Sequence, residues 1–311
     1  MRYFIKEGVA MRRARICGLI AILPLACYGE DKKPDKKKDP AEIGNRKIAG
    51  GPNFFSLEKE MALGRLLAIE VTRQARILED PIVSEYVSRI GQNLVRNSDV
   101  AFPVAIKIVD SEDLNAFALP GGYVFVNTGL IRLSETEAEL ASAMAHEIAH
   151  VAARHATRQA TRDQLASMAA IPVIIGTGGW GGLAARQAMG IGVPLGFLKF
   201  SRVYETEADM LGLQYLYAAG YDPTAAIDIL ERVESAEHKR PGAISRLFDT
   251  HPMTADRIRK TQKNIDELLP GKPEYVVTTS EYEDVRARLI GLHAKRVEAA
   301  KPSLLKKPRH D

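Results

Sequence analysis

Two histidines four residues apart, His146 and His150, lie in the Ala-rich run ELASAMAHEIAHVAARHA and constrain this chain more than any other feature. Residues i and i+4 of a helix share one face, so both imidazoles can bind a single metal ion. Glu147, about 100° away round the helix, can reach a water molecule at an open position of that ion. The pattern predicts a zinc site on a helix, with Glu147 as the general base for peptide hydrolysis.

The residues around this motif favour a helix. The tetrapeptide SETE at 134–137 is typical of a capping box at a helix start, and neither Gly nor Pro follows before His155. We therefore expect one helix from this cap through His155. On a continuous helix His155 would lie about 180° away from His146, outside a metal site. The alternative interpretation is a solvated helix that carries two surface histidines.

A third ligand is expected, because catalytic zinc takes three protein ligands and leaves one position for water. One class of zinc proteases supplies a third His six residues after the second, following a Gly. Ala153 and Ala156 occupy those positions here and exclude that arrangement. The third ligand must come from a more distant segment.

The best candidate segment is SRVYETEAD at 201–209, which opens an amphipathic stretch. Glu205 and Asp209 are i and i+4, so they share a helix face. Glu205 can therefore bind the metal while Asp209 accepts a hydrogen bond from a ligating imidazole. Glu207 points the other way and is expected to be an exposed charge.

Three motifs together resemble metallopeptidase family M forty-eight. They are HEIAH at 146–150, SRVYETEAD at 201–209, and the tripeptide THP around His251 with Arg257 six residues later. The resemblance extends over roughly residues 53–290. It implies that His146, His150 and Glu205 bind one zinc ion per chain and that Glu147 is the catalytic base.

The resemblance leaves two roles open for His251. As a fourth zinc ligand, His251 would displace the nucleophilic water and hold the enzyme inactive until its loop moves. As a protonated donor beside Arg257, it would instead stabilise the oxyanion of the transition state. We favour the inhibitory ligand, because an envelope protease with no visible propeptide needs a restraint on its activity.

The expected fold class is α+β: a mainly helical, gluzincin-type zinc protease domain over residues 53–290, with a small β-sheet beside the HEIAH helix. Apolar residues at helical spacing predict two or three helices over 54–97, packed behind the zinc helix. Residues 104–109 are predicted to form a strand. A second strand segment, 115–126, is broken by Pro-Gly-Gly at 120–122.

This second segment is a candidate for substrate binding. A strand edge above the metal can pair with the main chain of a substrate, and the resemblance favours Asn115, Ala116, Phe117 and Ala118 for that role. An ordinary strand inside the sheet is the alternative.

Residues 1–27 are predicted to be an export signal peptide, with a basic start and an apolar stretch, ICGLIAILPLA, too short to span a bilayer. Leu25-Ala26-Cys27 resembles the end of a bacterial lipobox, although Pro24 departs from it. Acylation of Cys27, which would anchor the protein to a membrane surface, and simple cleavage a few residues later both stay open. The two cysteines, Cys17 and Cys27, lie in this leader, so no disulfide is expected in the domain.

The remaining ends are expected to be polar. Residues 28–52 (GEDKKPDKKKDP and its flanks) are predicted to be a charged flexible linker, and residues 291–311 a polar C-terminal tail. The net charge of +4 falls to zero without residues 1–26, which carry five basic groups and one acidic group. A nucleic-acid partner is therefore not expected.

Residues 164–185 carry no charge and contain a Gly cluster. The glycines argue against a membrane span, so an apolar flap over the cleft is expected within 164–200. No tetratricopeptide-like period is visible after residue 260, so a member without such repeats is expected.

The sequence therefore predicts an exported, periplasmic zinc endopeptidase that degrades misfolded or misassembled envelope proteins. A non-catalytic chaperone-like or scaffold protein that retains the zinc site is the alternative. A membrane-embedded CAAX-type protease would need several apolar runs of about 20 residues, which the sequence lacks. Substrate identity and oligomeric state are left open.

Overall fold

The computed structural model describes residues 35–176, 200–239, 251 and 255–300. The helices in these ranges are α1 (Leu57–Gln74), α2 (Pro81–Arg96), α3 (Thr128–Leu133), α4 (Glu137–Ala152), α5 (His155–Gly176), α6 (Arg202–Ala218), α7 (Ala225–Lys239), α8 (Ala255–Leu268) and α9 (Ser280–Ala300). The strands are β1 (Ala105–Val109), β2 (Ala116–Leu119) and β3 (Tyr123–Asn127). The predicted α+β class, mainly helical with a small sheet beside the HEIAH helix, is confirmed.

Helix α4 carries the HEIAH motif through the hydrophobic core, where it contacts α2, α6, α7 and β2. Its N-cap is Thr136, whose Oγ1 accepts a hydrogen bond from the N–H of Glu139. The Glu139 carboxylate in turn accepts one from the N–H of Glu135. The capping pattern therefore lies two residues beyond its predicted start, and Ser134 instead ends α3.

The predicted continuous helix through His155 is wrong. α4 ends at Ala152, and Arg154 adopts a left-handed conformation with φ of 55° before α5 begins at His155. The Arg154 side chain holds this turn by donating hydrogen bonds to Glu60 (2.6 Å) and to the carbonyl of Phe55 (2.8 Å). These contacts compensate for a backbone conformation that non-Gly residues rarely adopt. The break turns His155 back towards α4.

The sheet has the strand order β1-β3-β2, with β1 parallel and β2 antiparallel to β3. Gly121 and Gly122, with φ of 71° and 91°, form the turn between β2 and β3. β2 is thus an edge strand of the described sheet, and it packs against α4. This arrangement places the edge beside the HEIAH motif.

The region 54–97 forms two helices, each with a side-chain cap. Ser56 caps α1, and Asp80 caps α2 with Pro81 at the first helical position. Only part of the predicted packing is correct: α2 packs against α4, whereas α1 packs against β2 and β3.

Residues 35–52 are the described part of the predicted linker. They pack against the rest of the domain and are not a flexible linker. The buried Arg46 guanidinium lies 2.9 Å from Asp99 Oδ2 and donates to Gln214 Oε1 at 2.6 Å. Ile48 joins the core. The charged composition was misleading because Arg46 is buried together with its ion-pair partner and is not solvated.

The predicted C-terminal tail is also too long. The prediction placed a polar tail from residue 291, whereas α9 continues to Ala300. Arg296 in this part of α9 donates a hydrogen bond to Asp110 at 2.6 Å. Residues 301–311 lie outside the described residues, as do the predicted signal peptide and residues 177–199 of the predicted flap. Residues 164–176 of that flap belong to α5. Among the described residues, no helix is both long and apolar enough to cross a membrane.

Candidate metal centre

The site lies where α4 packs closely against α6. Gly212 on α6 lies against His146, and a Cβ atom at that position would come within 3.0 Å of the His146 backbone. The absence of a side chain at Gly212 lets the two helices approach, so that Glu205 reaches both histidines of α4. Gly220, with φ of 92°, follows α6 as a left-handed cap.

Four side chains converge at this point: His146, His150, Glu205 and His251, with one donor atom from each within 4.8 Å of the others. His146 Nε2 lies 3.1 Å from His150 Nε2 and 3.5 Å from Glu205 Oε2. His150 Nε2 lies 3.6 Å from Glu205 Oε1. The three donors predicted from the sequence are therefore brought together.

These spacings fit a tetrahedral metal ion. Ligand atoms about 2.0–2.1 Å from zinc in a tetrahedron lie about 3.3 Å from one another. Glu205 Oε2 is buried and has no hydrogen-bond partner among the described residues, an arrangement that a bound cation would satisfy. Two imidazoles and a carboxylate are also the ligand set of one class of catalytic zinc sites.

His251 occupies the fourth corner. Its Nδ1 lies 3.0 Å from Glu205 Oε1 and 3.3 Å from His146 Nε2, and its Nε2 lies 3.4 Å from Glu147 Oε1. The ring is buried. Its Nδ1 is close enough to the other three donor atoms to bind the same ion, and the ring also lies beside Arg257 and Glu147 at the edge of a cavity.

His146 is held from behind by a carboxylate. Its Nδ1 lies 3.0 Å from Asp209 Oδ1, one helical turn after Glu205 on α6. Arg257 on α8 binds Asp209 through two hydrogen bonds, from Nε (2.9 Å) and Nη2 (2.7 Å). Arg257 also donates to the His251 carbonyl at 3.4 Å, so its guanidinium fixes both Asp209 and the His251 backbone.

His150 is held from behind by a second histidine. His155 Nδ1 lies 3.0 Å from His150 Nδ1, and His155 Nε2 lies 3.1 Å from Glu207 Oε2. The prediction that His155 lies outside the site is therefore wrong, because the helix breaks at Arg154. The prediction of an exposed Glu207 is also wrong, since its carboxylate is largely enclosed between α5 and α6.

The acids at the centre are ionised. Burial opposes ionisation of Glu205, but the close contacts with the His146 and His251 rings hold its pKa far below the usual range. Burial likewise opposes ionisation of Asp209, yet the charge of Arg257 and the His146 contact hold its pKa low. Both side chains are therefore anionic at neutral pH.

The histidines divide in their protonation. Burial works against the charged form of His146, but its contacts with Asp209 and Glu205 outweigh burial and raise the pKa to about 10. A zinc ion would displace the proton on Nε2, because zinc binds neutral imidazole. Burial lowers the pKa of His150 and of His155, so both rings are neutral at pH 7. Glu207 is anionic, because its contacts with His155 and Arg158 outweigh burial and lower its pKa to about 2.

Glu147 lies beside the four donors, under the edge strand. Burial raises the pKa of its carboxyl, and the backbone N–H of Ala118 on β2 acts in the opposite direction. Its Oε2 is buried without a hydrogen-bond partner in the described part of the chain. The other oxygen, Oε1, lies 3.4 Å from His251 Nε2, so the carboxylate adjoins the centre and keeps one acceptor atom without a protein partner.

The four predicted substrate-strand residues occupy different surroundings. Ala118 contributes the N–H that faces Glu147, and Ala116 lines a cavity beside His146. Asn115 is buried, and its Oδ1 has no partner within the described ranges. Phe117 points to the other face of the sheet, where its ring stacks on Phe125 at 5.0 Å.

An apolar cavity of about 70 Å³ adjoins the centre. Its polar edge is formed by His146, Glu147, His251 and Arg257. Its remaining wall is mainly apolar and comes from α3, α4, α6 and α7, including Leu130, Leu213, Ile229, Leu230 and Val233.

A buried HExxH helix, an acidic side chain from a neighbouring helix beside both histidines and a strand edge over the motif define a metallopeptidase centre. Residues 81–265, more than half of the chain, match Peptidase family M48. The chain belongs to this family.

Similar proteins carry related names. The "Beta-barrel assembly-enhancing protease" of Yersinia pestis is 28% identical over 265 residues, which cover 81% of this chain and 53% of the relative. The "Mitochondrial metalloendopeptidase OMA1" of Schizosaccharomyces pombe is 34% identical over 190 residues, 60% of this chain and 52% of the relative. "Metalloprotease LoiP" of Escherichia coli is 31% identical over 183 residues, 57% of this chain and 69% of the relative. The chain spans about half the length of the first two.

Proposed function

We propose that this chain is a zinc-dependent endopeptidase. The observation that carries the proposal is the convergence of His146, His150 and Glu205 at spacings suited to one tetrahedral ion, next to the buried carboxylate of Glu147. One zinc ion per chain would be held by these three side chains. Bound there, zinc supplies Lewis-acid polarisation of a peptide carbonyl and an acidic water molecule.

The protein's own groups carry the proton. The Glu147 carboxylate, which lies 3.4 Å from His251, accepts a proton from the attacking water and later delivers it to the nitrogen of the leaving amine. Asp209 and Arg257 keep the His146 ring in place during this cycle. The enclosed position of Glu147 excludes bulk water from the proton that it holds.

The substrate main chain would run along β2. An edge strand can hydrogen-bond an added peptide without reading its side chains, which suits a protease for unfolded chains. The buried Asn115 Oδ1 would accept from a substrate N–H, and the apolar cavity beside Glu147 would receive an apolar side chain next to the scissile bond.

Metal removal and substrate mapping test this function. The purified chain should cleave a reduced, unfolded protein, lose that activity after treatment with 1,10-phenanthroline, and regain it when zinc is restored. The cleavage sites, read by mass spectrometry, should carry an apolar residue next to the broken bond. Activity that survives complete removal of the metal would contradict the proposal, and charged residues at that position would contradict the role of the cavity.

We also propose that the physiological substrates are misfolded or misassembled envelope proteins. The names of the relatives refer to β-barrel assembly and to metalloendopeptidase activity, and the leader is typical of export. Localisation in the periplasm, with or without an anchor on Cys27, belongs to the same proposal. Residues 1–27 lie outside the described residues.

His251 is proposed to restrain the enzyme as a fourth ligand, and Arg257 to position Asp209 and the His251 backbone. Replacing His251 by Ala frees the fourth corner for water, so the rate of cleavage of an unfolded protein should rise several-fold while zinc content stays at one per chain. A His293→Ala variant, which changes a surface histidine paired with Glu112, is the matched control. A fall in kcat with unchanged metal would instead assign His251 to the transition state.

A further inference from the structure

The two histidine ligands are supported in different ways. Behind His146 the supporting group is a carboxylate, Asp209, in direct contact. Behind His150 a second imidazole, that of His155, stands between the ligand and the carboxylate of Glu207. His155 is fully buried, so its contacts are made inside the protein and without competition from bulk water.

Only one set of proton positions satisfies the hydrogen bonds from His150 through His155 to Glu207. A histidine that binds metal through Nε2 carries its proton on Nδ1, so His150 must donate from Nδ1 to its neighbour at 3.0 Å. The neighbouring Nδ1 of His155 must then be the acceptor, which places the His155 proton on Nε2. That proton is donated to Glu207 Oε2 at 3.1 Å.

The far end of the chain is fixed by charge and packing. Arg158 Nη1 lies 3.2 Å from Glu207 Oε2, and Lys37 Nζ lies 3.3 Å from Glu207 Oε1. Tyr204 stacks on the His155 ring with centroids 4.6 Å apart. The Arg158 guanidinium in turn lies over the Tyr204 ring, 4.8 Å from its centroid. Stacking on Tyr204 thus fixes the plane of the His155 ring, and the contacts with His150 and Glu207 fix its two nitrogens.

We propose that His155 and Glu207 are positioning residues for the metal: they fix the tautomer and ring orientation of His150 through two successive hydrogen bonds. This inference rests on the zinc site of the proposed function. The physical reason is preorganisation, since a ligand whose proton and orientation are already set loses less freedom when it binds an ion. Support of both histidines from opposite sides points their two Nε2 atoms at one place.

The test compares two replacements of His155 in a Glu147→Gln parent, so that metal binding is measured in a chain without proteolysis. The amide oxygen of Asn lies close to where Nδ1 of His lies and can accept from His150, whereas Leu fills the same space without an acceptor. Zinc dissociation constants are measured by competition with a chromophoric chelator. His155→Leu should bind zinc about 10- to 100-fold more weakly than the parent, and His155→Asn should retain most of the affinity.

Two further variants sharpen the comparison. Glu207→Gln keeps an acceptor for His155 but removes the charge, so its loss should be smaller than that of His155→Leu. His293→Leu, which removes a surface imidazole, should leave the affinity unchanged. Substitution with Co²⁺ adds a spectroscopic measure, because its visible absorption bands should shift in His155→Leu and stay near those of the parent in His155→Asn.

Thermal unfolding of the metal-free variants separates positioning from packing. Equal zinc affinity in His155→Leu and the parent would overturn the proposal. The proposal would also be overturned if His155→Asn and His155→Leu lost equal zinc affinity and both lowered the Tm of the metal-free protein. That pattern would indicate that His155 acts through packing alone. If His155→Leu does not fold, the affinity and Co²⁺ spectrum of Glu207→Gln decide, and unchanged values there overturn the proposal. A parent that binds no zinc would instead contradict the proposed function.

Discussion

Replacing Glu147 by Gln should lower kcat for cleavage of an unfolded protein by roughly 100- to 10,000-fold, the range typical of a lost general acid–base group. Gln occupies the same volume but cannot carry the proton from water to the leaving amine. The residues that bind the metal stay in place, so zinc content measured by mass spectrometry should remain at one per chain. The expected result is an inactive protein with intact metal.

The matched control for this variant is Glu135→Gln. Glu135 lies just before α4, and its largely exposed carboxylate pairs with Arg232, away from the four converging donors. This change should leave kcat and zinc content near those of the unaltered chain. Cleavage at the normal rate by Glu147→Gln would exclude Glu147 as the proton carrier. Absence of cleavage by the unaltered, zinc-loaded chain would instead favour the non-catalytic alternative.

The sequence was informative where a single helix period decides which side chains meet. His146 and His150 are one turn apart on α4, and Glu205 and Asp209 one turn apart on α6, so each pair shares a face whatever surrounds it. The small sheet was also predictable, because its strands are short apolar runs and a Pro-Gly-Gly turn separates β2 from β3. These local rules placed the donors on the correct elements.

Local rules failed where a contact distant in sequence changes the backbone. Arginine is not a residue type that signals a left-handed conformation. Arg154 adopts one because Glu60 and the Phe55 carbonyl bind its guanidinium. Extrapolating α4 through this position rotates His155 to the wrong side. The same error made Glu207 look exposed, because its partners lie on α5 and in the N-terminal segment.

Charge composition failed for a related reason. Arg46 lies in a run that reads as a solvated linker, yet its guanidinium is buried against Asp99 and Gln214. Pairing of this kind depends on a residue more than 50 positions away, which no window of sequence reveals. The Lys37 contact with Glu207 extends the same segment to the metal centre.

Two acids two residues apart on α6, Glu205 and Glu207, give the second large effect. The structure assigns them opposite neighbours: Glu205 faces His146 and His150 directly, whereas Glu207 reaches the centre only through His155. Removing an anionic ligand should lower the zinc affinity more than removing a charge that contacts a ligand only indirectly. The two variants should therefore differ sharply although they make the same chemical change.

Glu205→Gln should weaken zinc binding by more than the roughly 10- to 100-fold typical of an altered outer support, and it should abolish proteolysis at ordinary zinc concentrations. A neutral amide gives a cation no charge compensation, and the anionic carboxylate is the group that fits here. Glu207→Gln, the same chemical change at a residue that reaches the metal only through His155, should lose less affinity, and it should retain zinc at stoichiometric concentration and most of the activity. Metal analysis after dialysis against a weak chelator decides between them. Loss of zinc from Glu207→Gln with full retention in Glu205→Gln would exchange the two assignments, because only a direct ligand can account for the larger loss.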